Sequence, residues 1–144
     1  MFTKISEAEF FSRAGTPIDY IGIYELEWII DDSLLVCEGI IVAFSDRKYL
    51  IKPHIRSEDV FDFSYYIFSE EYDCRKILSS DAEPIHFIRL EVSEYNSFDL
   101  RFQIGNRPII VGADDDTFLM VGISRWDANG DLLYFENFNL LNDK

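Results

Sequence analysis

From Ile18 onward the apolar positions recur every second residue. Ile18, Tyr20, Gly22, Tyr24, Leu26, Trp28 and Ile30 fall on one side, and Asp19, Glu25 and Glu27 on the other. That period predicts a long, half-buried β-strand. Asp31-Asp32-Ser33 reads as a turn, and Leu34 to Phe44, apolar on both sides except at Glu38, predicts a second and deeper strand that closes a long hairpin. A short strand from Tyr49 to Lys52 is expected to stop at Pro53, because proline cannot donate to a ladder. Val60 to Phe68 alternates again, with Phe61, Phe63, Tyr65 and Ile67 on one side. Pro84 to Val92, Phe98 to Ile104 and Ile109 to Val111 continue the series, the last two joined by the turn Gly105-Asn106-Arg107-Pro108. A final hairpin pairs Phe118 to Trp126 with Leu132 to Phe138 across Asp127-Ala128-Asn129-Gly130-Asp131, where asparagine and glycine tolerate positive φ. Trp28 and Phe102, on apolar strand faces, are candidate core residues.

Two segments break the period of two. Ser6-Glu7-Ala8-Glu9 is a capping box. It predicts a helix to about Ala14 with Phe10, Phe11 and Ala14 on its apolar side, ended by Gly15 and Pro17. Ser69 can cap a second short helix over Glu70 to Leu78, with acids first and Arg75 and Lys76 last, in accord with the helix dipole. The expected fold is therefore mainly β (α+β). It is an antiparallel meander of seven or eight strands, strongly curved or barrel-like, with an N-terminal helix and one further short helix, in a single domain over residues 1–144.

Charge changes the picture. The chain of 144 residues carries 27 Asp and Glu against 13 Lys and Arg, a formal charge of -14, yet 48% of it is hydrophobic, enough to fold. Such an excess opposes nucleic acid backbones and anionic membranes and favours a basic partner. Met1-Phe2-Thr3-Lys4-Ile5-Ser6-Glu7 lacks the apolar stretch of a signal peptide, so a cytoplasmic protein is expected. Cys37 and Cys74 stand far apart with no CxxC, which fits free thiols.

Catalytic and metal chemistry find little support. Asp114-Asp115-Asp116 and Asp127 to Asp131 lack the spacing of a calcium loop, so no metal or cofactor is expected. His54 and His86 are the only imidazoles, and His86 shares its strand side with Ile88 and Leu90. Paired carboxylates for acid/base work cannot be selected from 27 acids without knowing their surroundings.

Two acidic runs carry the functional expectation. Between Arg13 and Arg47 stand Asp19, Glu25, Glu27, Asp31, Asp32, Glu38 and Asp46 with no base among them. A second run holds Glu58, Asp59, Asp62, Glu70, Glu71 and Asp73 interleaved with aromatics, Tyr65, Tyr66 and Tyr72 among them. Like charges on one sheet face repel, so retaining them suggests that a partner supplies the cations, and aromatics beside carboxylates are the composition of a binding surface. The candidate partner-binding residues are Asp19, Glu25, Glu27, Asp31, Asp32, Glu58, Asp59, Asp62, Tyr66, Glu70, Glu71 and Tyr72.

In size, in acidity and in these two base-free runs the chain resembles the immunity proteins that bacteria keep against their own toxins. The resemblance is one of class and transfers no residue. It implies a toxin domain as the basic partner, with charge accelerating encounter and aromatic contacts slowing release. Two rivals stand beside it: a phosphate-mimicking anti-nuclease or anti-restriction protein, and a small ligand-binding β-barrel or enzyme with an aromatic pocket. Edge strands also leave a homodimer open.

Overall fold

The computed structural model describes residues 2–30, 34–57, 60–69, 71–72, 74–80, 84–92, 98–105, 107–113, 119–123, 125–126 and 132–133. The N-cap half of the expected capping box forms. Ser6 adopts extended backbone and its hydroxyl accepts from the Glu9 N–H at 3.2 Å, starting helix α1 (Glu7–Phe11). The helix is shorter than the sequence predicts. Turns follow Ser12, and Gly15 closes them at φ 83° with its N–H on the Phe87 carbonyl.

The rest is antiparallel sheet. In chain order the strands are β1 (Phe2–Ile5), β2 (Pro17–Ile18), β3 (Tyr20–Ile30), β4 (Leu34–Ala43), β5 (Lys48–Ser57), β6 (Val60–Phe68), β7 (Arg75–Ser79), β8 (Ile85–Val92), β9 (Phe98–Ile104), β10 (Arg107–Ala113), β11 (Leu119–Ile123), β12 (Arg125–Trp126) and β13 (Leu132–Leu133). The main sheet runs β1-β6-β5-β4-β11-β10-β9-β8-β2, β3 pairs β4 and β7 off this path, and β12 pairs β13 separately. Neighbours in sequence form the hairpins of a meander, but β1–β6, β2–β8, β3–β7 and β4–β11 are long-range pairings. The sheet folds back on itself, since β6 packs against β9 and β10 from several strands away. Closure into a barrel is not found among the described residues, where the path ends at β1 and β2.

The predicted second helix is a strand. Arg75–Ser79 pairs with β3 through Tyr20↔Ser79, Ile21↔Leu78, Gly22↔Lys76 and Ile23↔Arg75. Local helix signals in an isolated turn are worth little against a full ladder along β3, because most helical stability comes from tertiary packing. Pro53 likewise fails to end its strand. The ladder of β5 with β4 stops at Ile51, so Pro53 sits where the described strand is paired with β6 alone and a missing donor is tolerated.

Face assignment on β3 also departs from expectation. Ile21 and Ile23 enter the main core, whereas Tyr20 and Tyr24 lie on the opposite side beside Ile41, Leu50, Phe68 and Cys74. Both sides of this strand are apolar, so periodicity cannot choose between them. The isoleucines can be buried entirely, while tyrosine keeps a polar end that favours a wetter site. Ile18 still reaches the core because the chain breaks register at Asp19, whose N–H donates to the Ala43 carbonyl at 2.7 Å and whose carbonyl accepts from Ser80 at 2.9 Å.

The main core centres on Phe10, which is fully buried. Its ring lies 5.2 Å from Tyr65, 5.4 Å from Tyr49 and 4.9 Å from Phe87. Phe102 is fully buried as expected, and the side chain of Trp28 lies outside the described residues. Truncating Phe10 to Ala should cost about 3–5 kcal/mol by the usual loss for a large buried aromatic. Urea unfolding monitored by near- and far-UV circular dichroism measures it, and a loss under about 1 kcal/mol would mean the helix is not anchored there.

Candidate functional site at the outer face of the sheet

The side of the sheet away from the main core gathers aromatics from three strands and a loop. Tyr20 and Tyr24 come from β3, Phe2 from β1, Tyr66 and Phe68 from β6, and Tyr72 from the segment before β7. Phe2 stands 4.9 Å from Tyr66 and 6.5 Å from Tyr24, ring to ring. Tyr24 in turn lies 5.4 Å from Tyr72 and 5.8 Å from Phe68. Ile41, Leu50, Phe68 and Cys74 are buried beneath, while Tyr20, Tyr24, Tyr66 and Tyr72 are half-buried and Phe2 is 39% exposed. The predicted Tyr66 and Tyr72 thus share one face. The sequence does not reveal that Tyr24 and Phe2 join them, because that depends on the long-range β1–β6 ladder and on the side of β3 that turns outward.

A bulge fixes the acidic border of this face. Tyr24 pairs with Gly39 and Glu27 with Cys37, so β3 carries one extra residue across this interval. Glu25 takes it up at φ 62°, a left-handed conformation that an L-residue other than Asn, Asp or Gly adopts at a cost. Its N–H donates to the Tyr72 hydroxyl at 3.1 Å, which ties the bulge to the aromatic cluster. The exposed Glu25 carboxylate and the half-buried Glu38 both lie close enough to Tyr24 to raise its phenol, after burial as the larger cause. Burial likewise raises the Tyr20 phenol and the Cys74 thiol. A protonated, buried thiol is unreactive, and neither Cys37 nor Cys74 is in a disulfide.

The other candidate acids scatter. Asp19 is exposed at the β2–β3 break and Glu71 is exposed beside Tyr72. Asp62 is only 2% exposed, opposite His54 in the β5–β6 ladder, so it does not contribute to a surface. With His54, Ser64, Tyr65 and Glu7 it lines a recess of about 280 Å³. His54 itself is exposed, and His86 is half-buried in the ladder beside Pro17 and Gln103. The side chain of Glu27, and all of Asp31, Asp32, Glu58, Asp59 and Glu70, lie outside the described residues, as do the acid clusters at 114–116 and 127–131. Among the described residues no group of three or more His, Cys, Asp or Glu could hold a metal ion, and no helix is long and apolar enough to cross a membrane.

One acid of the first run has an internal counter-ion after all. Arg13 donates from both terminal nitrogens to Asp46, at 2.9 and 2.8 Å, and from Nε to the Tyr49 hydroxyl at 3.1 Å. Its guanidinium lies 5.1 Å from the centre of the Phe44 ring. Arg13 is more than thirty positions from these residues and meets them because the turn after α1 comes against the β4–β5 turn.

No family model matches the chain. No solved structure matches it either. A pantothenate kinase of Shouchella clausii is 32% identical over 87 residues, covering 54% of this chain and 27% of the kinase. The chain therefore spans about a quarter of the length of that curated relative.

The hydrogen bonds from Arg13 hold the Asp46 carboxyl below its ordinary value of 3.8. A depressed carboxyl stabilises the fold above its unfolded pKa, and that contribution is lost as pH falls through the folded value. Asp46→Asn should therefore lower thermal stability at pH 7. The gap between variant and parent should narrow progressively below about pH 4, the range where a free aspartate titrates. A gap independent of pH in melts from pH 2 to 7 would show that the ion pair is not its source.

Proposed function

We propose that the chain is an acidic binding protein that neutralises a basic protein partner, acting as an immunity protein acts on a bacterial toxin. The observation that carries the reading is the bulge at Glu25. A glutamate occupies a left-handed backbone position that glycine would fill without strain, and it is tethered there by Tyr72. Strain retained at an exposed carboxylate points to a use for that carboxylate. Around it stand half-buried tyrosines, which supply large, rigid contact area at low entropic cost and are enriched among binding hot spots. The formal charge of -14 supplies the long-range attraction to a basic surface.

In this reading Tyr24, Tyr66 and Tyr72 anchor the contact, and Glu25, Glu38 and Glu71 pair with the partner's lysines and arginines. Glu27, Asp31 and Asp32, which follow the bulge in sequence, add to the acidic charge. The phosphate-mimic alternative needs carboxylates repeated along one elongated face. The described acids do not favour it, because Asp19, Asp46 and Asp62 fall in three separate surroundings.

Stability and binding should separate at the bulge. Glu25→Gly is expected to stabilise the free protein by up to about 1 kcal/mol, by relieving the left-handed glutamate, while weakening the complex. Tyr24→Ala should weaken binding by about 2 kcal/mol or more if it is a hot spot. Association should also slow steeply as salt rises from 50 to 500 mM, since screening lengths are about 10 Å at 0.1 M. Chemical denaturation, and stopped-flow binding with a basic protein captured by this chain as ligand, check all three. A salt-independent on-rate, or a Glu25→Gly protein that binds as well as the parent, defeats the reading.

A further inference from the structure

The outer face holds one more set of residues that the acidic composition conceals. The chain has five lysines, and four of them, Lys4, Lys48, Lys52 and Lys76, belong to this face. Lys52 places its Nζ 6.0 Å from the centre of the Phe2 ring, and Lys76 places its own 4.5 Å from that of Tyr20. Lys48 lies near enough to the Tyr20 hydroxyl to offset part of the rise that burial imposes on that phenol. Lys4 is directly opposite Tyr66 in the β1–β6 ladder, and directly opposed residues project from the same side. On a chain of formal charge -14 the aromatic face thus gathers all four described lysines, with Glu25 and Glu71 at its border.

We infer that this face pairs with a second copy of the chain in a two-fold dimer. Two bodies of charge -14 repel over most of their surfaces. They can approach closely only through a patch whose own charges are mixed. A two-fold contact sets the same patch against itself, so it must be self-complementary. Here lysines of one copy face Glu25 and Glu71 of the other, around a shared centre of Phe2, Tyr24, Tyr66 and Tyr72. Phe2, the one exposed large apolar side chain among the described residues, is covered in the pair. The inference rests on reading this face as a protein-binding surface. It adds that the dimer covers the face until a basic partner competes for it.

Salt separates the two contacts. Attraction to a basic partner weakens as ions screen it. Self-association of like-charged bodies strengthens, because the repulsion between them is the long-range effect. Sedimentation equilibrium of the purified chain alone, with no partner, is therefore the test. The expected result is a monomer–dimer equilibrium whose dissociation constant falls several-fold between 50 and 500 mM NaCl. Phe2→Ala and Tyr66→Ala should each raise that constant at least tenfold, and Lys48→Glu with Lys76→Glu should abolish the dimer. Glu9→Gln, on the exposed side of α1, should leave it unchanged, and thermal melts of each variant confirm folding. A monomer at all salt concentrations up to millimolar protein, or a dimer indifferent to both the aromatic and the lysine variants, overturns the inference. Either result leaves the partner reading standing, because that reading is tested with a different ligand and the opposite salt response.

Discussion

The fold depends on Phe10. Its position on a five-residue helix would be trivial in isolation, since a helix that short is not stable in water. What holds it is the cage of rings from Tyr49 and Tyr65 on β5 and β6, and from Phe87 on β8. In the strand order β6 and β8 are far apart. One side chain therefore fastens two distant parts of a single sheet, and the sheet curves around it. Arg13, just after the helix, fastens the same region from outside through Asp46 and Tyr49.

Curving the sheet around Phe10 gives it two unequal faces. The concave side takes the isoleucines, valines and phenylalanines that can be buried without polar loss. Tyr49 and Tyr65 join them in the core, while Tyr20, Tyr24, Tyr66, Tyr72 and the lysines are left on the other side, where rings and methylene stems cover Ile41, Leu50 and Phe68. The bulge at Glu25 marks the acidic limit of this second surface. An excess of acid spread along the sequence is thus resolved in space into an aromatic, lysine-bearing face with carboxylates at its border.

Much of this was legible in the chain. The alternation of Leu100, Phe102 and Ile104 gives a strand whose buried side is the one the pattern implies, whereas β6 buries Asp62 and Ser64 as well as Phe63 and Tyr65. Ser6 and Glu9 mark the helix start to the residue. Tyr66 and Tyr72 could be singled out as aromatics amid acids, but not as neighbours of Phe2 and Tyr24. Nor did spacing reveal that Asp62 is buried, since its strand is covered on both sides where His54 and Ser64 flank it.

The sequence by itself determined where the longer strands and the first helix begin, because side-chain alternation and capping are fixed by residues within a few positions of one another. It determined the net charge, and with it the sign of the long-range field. Only the tertiary structure decided that 75–79 is a strand, that β11 lies beside β4, and which side of β3 turns inward. Each of those outcomes is set by a ladder or a packing contact between residues tens of positions apart. There the free energy of a complete sheet edge outweighs the small local preferences that a pattern in the chain can express.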